Sequence, residues 1–308
     1  MKKIIIAGSG YIGAEIAFTF SDDYEITCID HGKNFDIIKK KLPTVSYIKG
    51  DVYDEKLIKK EIRYCDIFFY CLDTGGVVDC IKHPLKYYDT NVTHFRQLLK
   101  SLEYNEMPYF FLFSSSFVYP DIQKITEETQ LNPETLYGKL RMNQEQILKS
   151  SNLNFTILRL SNIFGYGHFY NIGNKGAIEK FIDNVFERRD IILHGDGSQL
   201  VDYLHKIDLM NLLKILCKIL PKRQVYNISS GRRRSILNIA EIIKDNASNE
   251  FDLNVEIIKM DEKTKMSNLP LTLPKKIINE VSWKPSTNIE LKIKEMMNFC
   301  NLQNKDEI

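Results

Sequence analysis

The apolar run Ile4-Ile5-Ile6-Ala7 leads directly into Gly8-Ser9-Gly10-Tyr11-Ile12-Gly13, and an amphipathic stretch over 11–21 follows. Glycines at that spacing allow a tight strand-to-helix turn and let a ligand's pyrophosphate approach bare backbone. The helix N-terminus beyond them supplies amide donors. The next apolar strand, EITCID, ends in Asp30, 20 residues past Gly10. A carboxylate there takes both hydroxyls of a ribose and repels a 2′-phosphate. Turn, helix and acid in that order predict a βαβ unit holding a dinucleotide, NAD in preference to NADP. Gly8, Gly10, Tyr11, Ile12, Gly13 and Asp30 are the candidate contacts. Two plainer readings stand beside this one: glycines that serve only the turn, and an Asp30 that is a solvated strand end.

The same alternation continues through the first half of the chain. IIIA, EITCID, VSYIKG, DIFFYCL and YFFLFSSS are separated by helical patterns at 11–21, 33–41, 54–63 and 84–103. Such a sequence predicts an α/β fold, a doubly wound parallel sheet covered by helices on both faces. Over 84–103, Leu85, Tyr88, Val92, Phe95, Leu99 and Leu102 form one apolar helical stripe behind Pro84. A further strand, NFTILRL at 154–160, follows the helix that holds Tyr137. Beyond about residue 164 the connections lengthen, with amphipathic stretches at 236–247 and 288–300. The expected division is a dinucleotide domain over 1–164, with a return at about 199–220, and a smaller mixed α/β substrate region over 165–308.

Charge narrows the partners. Forty-two basic residues against 40 acidic ones leave a net charge of +2, too little for a nucleic-acid or anionic-membrane footprint, so a small molecule is the expected partner. The six cysteines form no CxxC pair and no metal-ligand spacing and read as reduced thiols. MKKIIIAGSG is too short in its apolar part for a signal sequence or a membrane span, which predicts a cytoplasmic protein.

A second constellation lies in the middle of the chain. Ser115 ends the apolar run FFLFSSS, and Tyr137 follows 22 residues later within LYGKLRMNQEQIL. A hydroxyl at a strand's carboxyl end and a phenol on the next helix converge at the sheet edge where α/β proteins bind ligands. With GSGYIG, KGDV, HPLKYYDTNV, FSSSFVY, LRLSNIFG, GDGSQ, DYLHKIDL, YNISSG and SWKP, these pieces run nearly the whole chain. Their order resembles that of the extended short-chain dehydrogenases/reductases of the sugar-nucleotide epimerase/dehydratase family, the UDP-hexose 4-epimerase branch above all.

The resemblance implies roles by position. Ser115 falls on the hydroxyl that hydrogen-bonds the sugar, with Ser116 beside it, and Tyr137 falls on the general base. Asp51 and Val52 fall where adenine is held, Asn91 where the cofactor site is braced, and Asn162 where the substrate diphosphate is met. It also implies a homodimer through the 84–103 helix and the Tyr137 helix, although an apolar stripe is equally what a helix needs to pack on its own sheet.

Three positions depart from the family pattern. Arg141 replaces the lysine that assists the base and contacts the cofactor, Val201 replaces a diphosphate-binding arginine, and Tyr70-Cys71-Leu72-Asp73 replaces an HLAA-like turn. Arg232, Arg233 and Arg234 are positional candidates for the missing cation, or a solvated basic loop. Where 4,6-dehydratases carry an acid, this chain has Ser116 and Phe117, which disfavours elimination. The leading expectation is an NAD-dependent sugar-nucleotide 4-epimerase. A 4-dehydrogenase or reductase using the same residues, and a weakly active NAD-binding homologue, remain as alternatives.

Overall fold

The computed structural model describes residues 1–72, 75–103, 107–169, 172, 176–260 and 270–306. Its centre is a seven-stranded sheet, parallel throughout. Its first strands are β1 (Lys3–Ala7), β2 (Glu25–Asp30), β3 (Ser46–Lys49) and β4 (Ile67–Tyr70). The strand at Tyr109–Ser115 is β5 and that at Phe155–Leu160 is β7, β6 being a two-residue strand at Lys124–Ile125. β8 (Asn162–Phe164), β9 (Ile191–His194) and β10 (Leu200–His205) lie outside this sheet, and β11 (Gln224–Ile228) completes it. The order is β11-β7-β5-β4-β1-β2-β3, so chain direction across the sheet reverses between β1 and β4.

Continuous apolar runs suit strands covered on both faces. In β1 the side chains alternate: Ile4 and Ile6 enter one core, Ile5 and Ala7 the other, all at 0 % exposure. Burying one such isoleucine is worth roughly 1.5–3 kcal/mol. The first face is covered by α1 (Gly13–Phe20) and the second by α3 (Glu55–Glu61), α2 (Phe35–Lys41) flanking the first core through Ile38. Asp54 caps α3 by accepting from the amides of Lys56 and Leu57, which fixes where that helix starts.

The 84–103 segment is helical over its length but not uniformly so. After α4 (Val77–Lys82), Pro84 opens α5 (Pro84–Tyr88), a π turn occupies Asp89–His94, and α6 (Phe95–Glu103) completes it. A π turn holds one residue more than an α turn, so it rotates what precedes it by about 100° about the axis. The apolar stripe therefore splits. Val92, Phe95, Leu99 and Leu102 are buried, whereas Leu85 is 80 % exposed and Tyr88 49 %.

α7 (Leu136–Lys149) returns the chain to β7, and after β8 the chain leaves for a second lobe. There β10 pairs in parallel with β8 and antiparallel with β12 (Arg233–Ser235). Against this small sheet pack α8 (Ala177–Phe186), α10 (Ile236–Phe251) and α12 (Ile289–Asp306), which enclose Phe164, Ile182, Val201, Tyr203, Ile243 and Met297. β13 (Ile257–Met260) pairs with β9, and β14 (Leu271–Thr272) with β6. Between the two excursions α9 (Lys206–Ile219) packs on α1, and α11 (Lys275–Val281) covers β11. The strand that rejoins the main sheet is thus Gln224–Ile228, just past the 199–220 stretch expected to return.

Beneath the carboxyl end of β5 runs a buried polar network. Glu145 of α7, 0 % exposed, meets the Arg159 guanidinium of β7 at 2.9 and 2.6 Å and accepts the Ser114 hydroxyl at 2.7 Å. Arg159 also donates to the Tyr119 hydroxyl at 2.6 Å, which donates to Asn227 on β11 at 2.8 Å. Satisfied in this way the pair is tolerable, but a single member left in the interior is not. Glu145→Ala should therefore cost about 3–5 kcal/mol in urea unfolding; a loss within ~0.5 kcal/mol, as at an ordinary surface site, would show that the network does not hold α7 to the sheet.

Candidate active site

The glycine turn sits at the carboxyl end of β1. Gly8 has φ +92°, and its amide extends the ladder by donating to Ile29 at 2.9 Å. At Gly13 a Cβ would lie 1.9 Å from the Gly8 carbonyl oxygen, so a larger residue would push α1 off the turn. A Cβ on Gly10 would meet nothing within 4 Å, which leaves the outer side of the turn open. Ile12 stands at the N-cap of α1 and offers no side-chain cap, so no side chain there competes for the first helical amides.

Asp30 braces this turn. Its Oδ2 accepts from the Ser9 amide at 2.6 Å and the Ser9 hydroxyl at 2.9 Å, while Oδ1 accepts from the Gly32 amide at 3.4 Å. Tyr11 anchors the other side by donating to the Gly165 carbonyl at 2.8 Å. Pairing of Asp30 with Lys49 brings Asp51 and Val52 to the same edge; Val52 is 3 % exposed, and Asp51 accepts from the Tyr53 amide. An open glycine turn, helix amides without a side-chain cap and a carboxylate at the next strand's end fit the pyrophosphate and ribose of a dinucleotide.

Two strands away, Ser115 ends β5 and is 8 % exposed. Its Oγ accepts from the Phe117 amide at 3.3 Å, opening a 3-10 turn over Ser116–Val118 in which Ser116 is 4 % exposed. Thr135 caps α7 by accepting from the Gly138 amide at 3.0 Å, which places Tyr137 on the helix's first turn. The Tyr137 ring meets Phe117 edge-on at 5.6 Å. One turn further, the Arg141 guanidinium carbon lies 5.2 Å from the centre of the Tyr137 ring. Its Nη1 donates to Gln144 at 3.2 Å and to the Phe113 carbonyl at 3.4 Å. Arg141 thus lies against the tyrosine on the face the helix period dictates.

Around this pair stand Tyr53, which sequence reasoning missed, and Tyr70, the first residue of the altered turn. The hydroxyls of Tyr53 and Tyr70 share a hydrogen bond of 2.7 Å. Burial pushes the Tyr70 phenol up to about 12, while its bond to Tyr53 and the charge of Arg141 pull the other way. Tyr70 therefore stays a neutral hydroxyl. Asn91, 1 % exposed, sits in the π turn and donates to the Tyr87 carbonyl at 2.7 Å. Asn162 opens β8, exposed, past the carboxyl end of β7.

Val201 is 5 % exposed and belongs to the core of the second lobe. Of the arginines near it, Arg234 pairs opposite Val201 and is engaged with Glu290 at 2.6 Å and Asn238 at 3.1 Å. Asp202 accepts from the amides of Ser230 and Arg232, which shapes the loop leading to these arginines; burial raises its carboxyl to about 6. Cys71 presents its carbonyl to Gly8, and Asp73 lies outside the described residues.

The most consequential residue overlooked in sequence is Gly138. A Cβ there would sit 2.1 Å from the Phe117 carbonyl and 2.9 Å from Pro133 Cβ, so only glycine lets α7 press Tyr137 against the Ser115–Phe117 turn. Glycine inside a helix is a visible signal, since alanine is favoured there by about 1 kcal/mol. Gly138→Ala is expected to lower both the melting temperature and turnover, against the helix-propensity trend; a melting temperature equal to or above wild type would show that this close approach is not needed.

The description "NAD dependent epimerase/dehydratase family" matches residues 4–229 of this chain. A UDP-glucose 4-epimerase of Lactobacillus helveticus is 29% identical over 274 residues, 79% of this chain and 81% of the relative. A dTDP-D-glucose 4,6-dehydratase of Dictyostelium discoideum is 23% identical over 269 residues, 79% of this chain and 61% of the relative. Among solved structures, a UDP-N-acetylglucosamine 4-epimerase of Methanobrevibacter ruminantium in complex with UDP-N-acetylmuramic acid superposes with a TM-score of 0.85 at 23% identity, over 98% of this chain and 99% of that one. No described helix is long and apolar enough to cross a membrane. Turn, acid, Ser115 and Tyr137 gathered on one sheet edge agree with what these matches give: the chain belongs to the NAD-dependent epimerase/dehydratase family.

Proposed function

We propose that the chain is an NAD-dependent sugar-nucleotide 4-epimerase, the residues up to about 164 with the returning segment holding the dinucleotide and the remainder closing over the sugar. What carries this reading is Tyr137 on the first turn of α7, beside the Ser115 turn and with Arg141 against its ring. Held by these residues, NAD would supply the hydride acceptor for oxidation at the sugar's C4 and the hydride donor for reduction of the keto sugar on its opposite face. Tyr137 removes the proton of the C4 hydroxyl, Ser115 and Ser116 hold that hydroxyl, and Asn162 meets the diphosphate. Gly8 to Gly13 and Asp30 hold pyrophosphate and ribose, Asp51 and Val52 the adenine, and Asn91 braces the site between.

A phenol ionises near ~10, so taking a proton at neutral pH draws roughly 3–4 kcal/mol from the surroundings. One cation at ~5 Å in an effective dielectric of ~20 supplies about 3 kcal/mol. Arg141, its guanidinium carbon 5.2 Å from the ring centre, brings a cation of the required sign, although its planar fork cannot copy the compact ammonium of lysine. Since Ser116 and Phe117 offer no carboxylate beside Ser115, elimination is disfavoured, and a 4-dehydrogenase or reductase is the nearer alternative. UDP-glucose offered with NAD separates them: an epimerase yields UDP-galactose with only transient reduction, a dehydrogenase accumulates NADH, and a binding protein does neither. Tyr137→Phe should abolish turnover. Arg141→Met should move the pH at which oxidation reaches half its maximum upward by about one unit or more, and Arg141→Lys should keep the rate. Full activity of both Tyr137→Phe and Arg141→Met on a verified substrate would remove these roles.

The same reading includes a homodimer formed through the 84–103 and 136–149 helices about a two-fold axis. Exposed Val78, Ile81, Leu85 and Tyr88 on α4 and α5 support it. A cytoplasmic setting accords with the six free cysteines. Sedimentation at micromolar concentration should give twice the chain mass, and a monomer there would count against the pairing.

A further inference from the structure

Behind the glycine turn lies a cluster of charges that the reaction above does not use. Lys206 is 2 % exposed, Glu15 4 % and Glu179 2 %. Lysine at this place is doubly disfavoured: it is out of water, and it is the first residue of α9, where the helix dipole repels a cation. Burial accordingly lowers its amine to about 8, with Glu15 and Glu179 acting in the opposite sense.

Four segments meet on this cluster. The Lys206 ammonium lies 3.6 Å from the centre of the Tyr11 ring and donates to the Tyr166 carbonyl at 3.3 Å. Glu179 Oε1, on α8, accepts from the Gly165 amide at 2.8 Å and from the Tyr11 hydroxyl at 3.3 Å, while its Oε2 has no hydrogen-bond partner. Glu15, on α1, accepts from the His168 amide at 2.9 Å and pairs with the His168 ring at 2.5 Å. Residues 165–168 directly follow β8, whose first residue is Asn162. One buried cation therefore stands where the dinucleotide turn, α8 and the strand for the substrate's diphosphate come together.

We propose that Lys206 is a positioning residue for the dinucleotide turn: its ammonium, over the face of Tyr11, bonded to the Tyr166 carbonyl and in the field of Glu15 and Glu179, holds the Gly8–Gly13 backbone in its binding geometry and ties that turn to β8. This rests on the dinucleotide reading of the site. Without the charge on Lys206, the cation over the Tyr11 ring is lost beside the buried Glu179, one of whose oxygens already lacks a partner, and Tyr11, the residue next to Gly10, donates to Glu179 and so feels the change directly. Binding at the turn is then linked to the proton on Lys206. The other groups facing it are the Tyr11 phenol, pushed further up by burial and Glu179, and His205, which burial holds near about 4. Neither titrates between pH 7 and 9.5. His168 faces Glu15 rather than Lys206.

The test is the dissociation constant of NAD for the full chain, measured by calorimetry from pH 7 to 9.5 in wild type, Lys206→Arg and Lys206→Met. Wild type should lose tenfold or more in affinity over that range. Lys206→Arg, whose charge persists, should give a flat profile, and Lys206→Met should bind tenfold or more weakly already at pH 7. A purely structural lysine predicts something different. With an amine lowered from its ordinary ~10.4, the unfolded chain binds more protons across this window, so this group's contribution to stability rises with pH there. Affinity falling while stability rises is the signature of positioning. If Lys206→Met does not fold, Lys206→Arg decides alone: a decline parallel to wild type overturns the proposal, as does a flat wild-type profile. Wild type that binds no NAD at pH 7 would sink the dinucleotide reading, and this inference with it.

Discussion

Parallel pairing of β1 with β2 on one side and β4 on the other is the constraint on which the rest of the molecule depends. In a parallel sheet every strand ends at the same edge, so the segments that follow Ala7, Asp30, Lys49, Tyr70, Ser115 and Leu160 are delivered to one rim. The reversal of winding between β1 and β4 parts the covering helices there and leaves a crevice. Gly13 closes the arrangement by letting α1 start against the Gly8 carbonyl, so the helix axis aims its N-terminus into that crevice.

Around this rim the chain places neutral hydroxyls and one fixed guanidinium. The fork of Arg141 is held by the Phe113 carbonyl and by Gln144, which is itself 0 % exposed. Tyr53 and Tyr70 complete the surroundings as a hydrogen-bonded pair, so the larger side chain at 141 has matching neighbours instead of bulk water. Below it, Glu145 and Arg159 set the height of α7 over β5, and Gly138 sets its closest approach. Tyr137 thus owes its place to two contacts away from its own ring, the Glu145–Arg159 pair and the close approach at Gly138.

Much of this was legible in the residues because local signals and the global fold agree. Each main-sheet strand but the last reads as an apolar run, each flanking helix as a period, and GSGYIG with Asp30 marks the first βαβ unit. Other features were hidden for physical reasons. β8 and β12 have three residues each, too few for any alternation to register. The split of the 84–103 stripe follows from one additional residue in a π turn, which leaves no mark in a hydrophobic pattern. Glu145, Arg159, Glu15, Glu179 and Lys206 are charged and so read as surface, yet all are buried; only their partners on distant segments explain them. Arg141 was visible as an exception, and the helix period already put it beside Tyr137.

The chain leaves the main sheet after β7, builds β8, β9 and β10 elsewhere, and only then supplies β11. During synthesis this order has a cost. From the time β7 joins β5 until Gln224–Ile228 has emerged, Phe155–Leu160 is an open edge with unpaired amides and carbonyls, available to any other strand. Arg159, the fifth of the six residues of that edge, is a charged side chain on the open strand, and a charge on an exposed edge disfavours pairing with a second nascent chain. The residue that locks α7 to the sheet is thus also the charge carried by the edge that waits for β11.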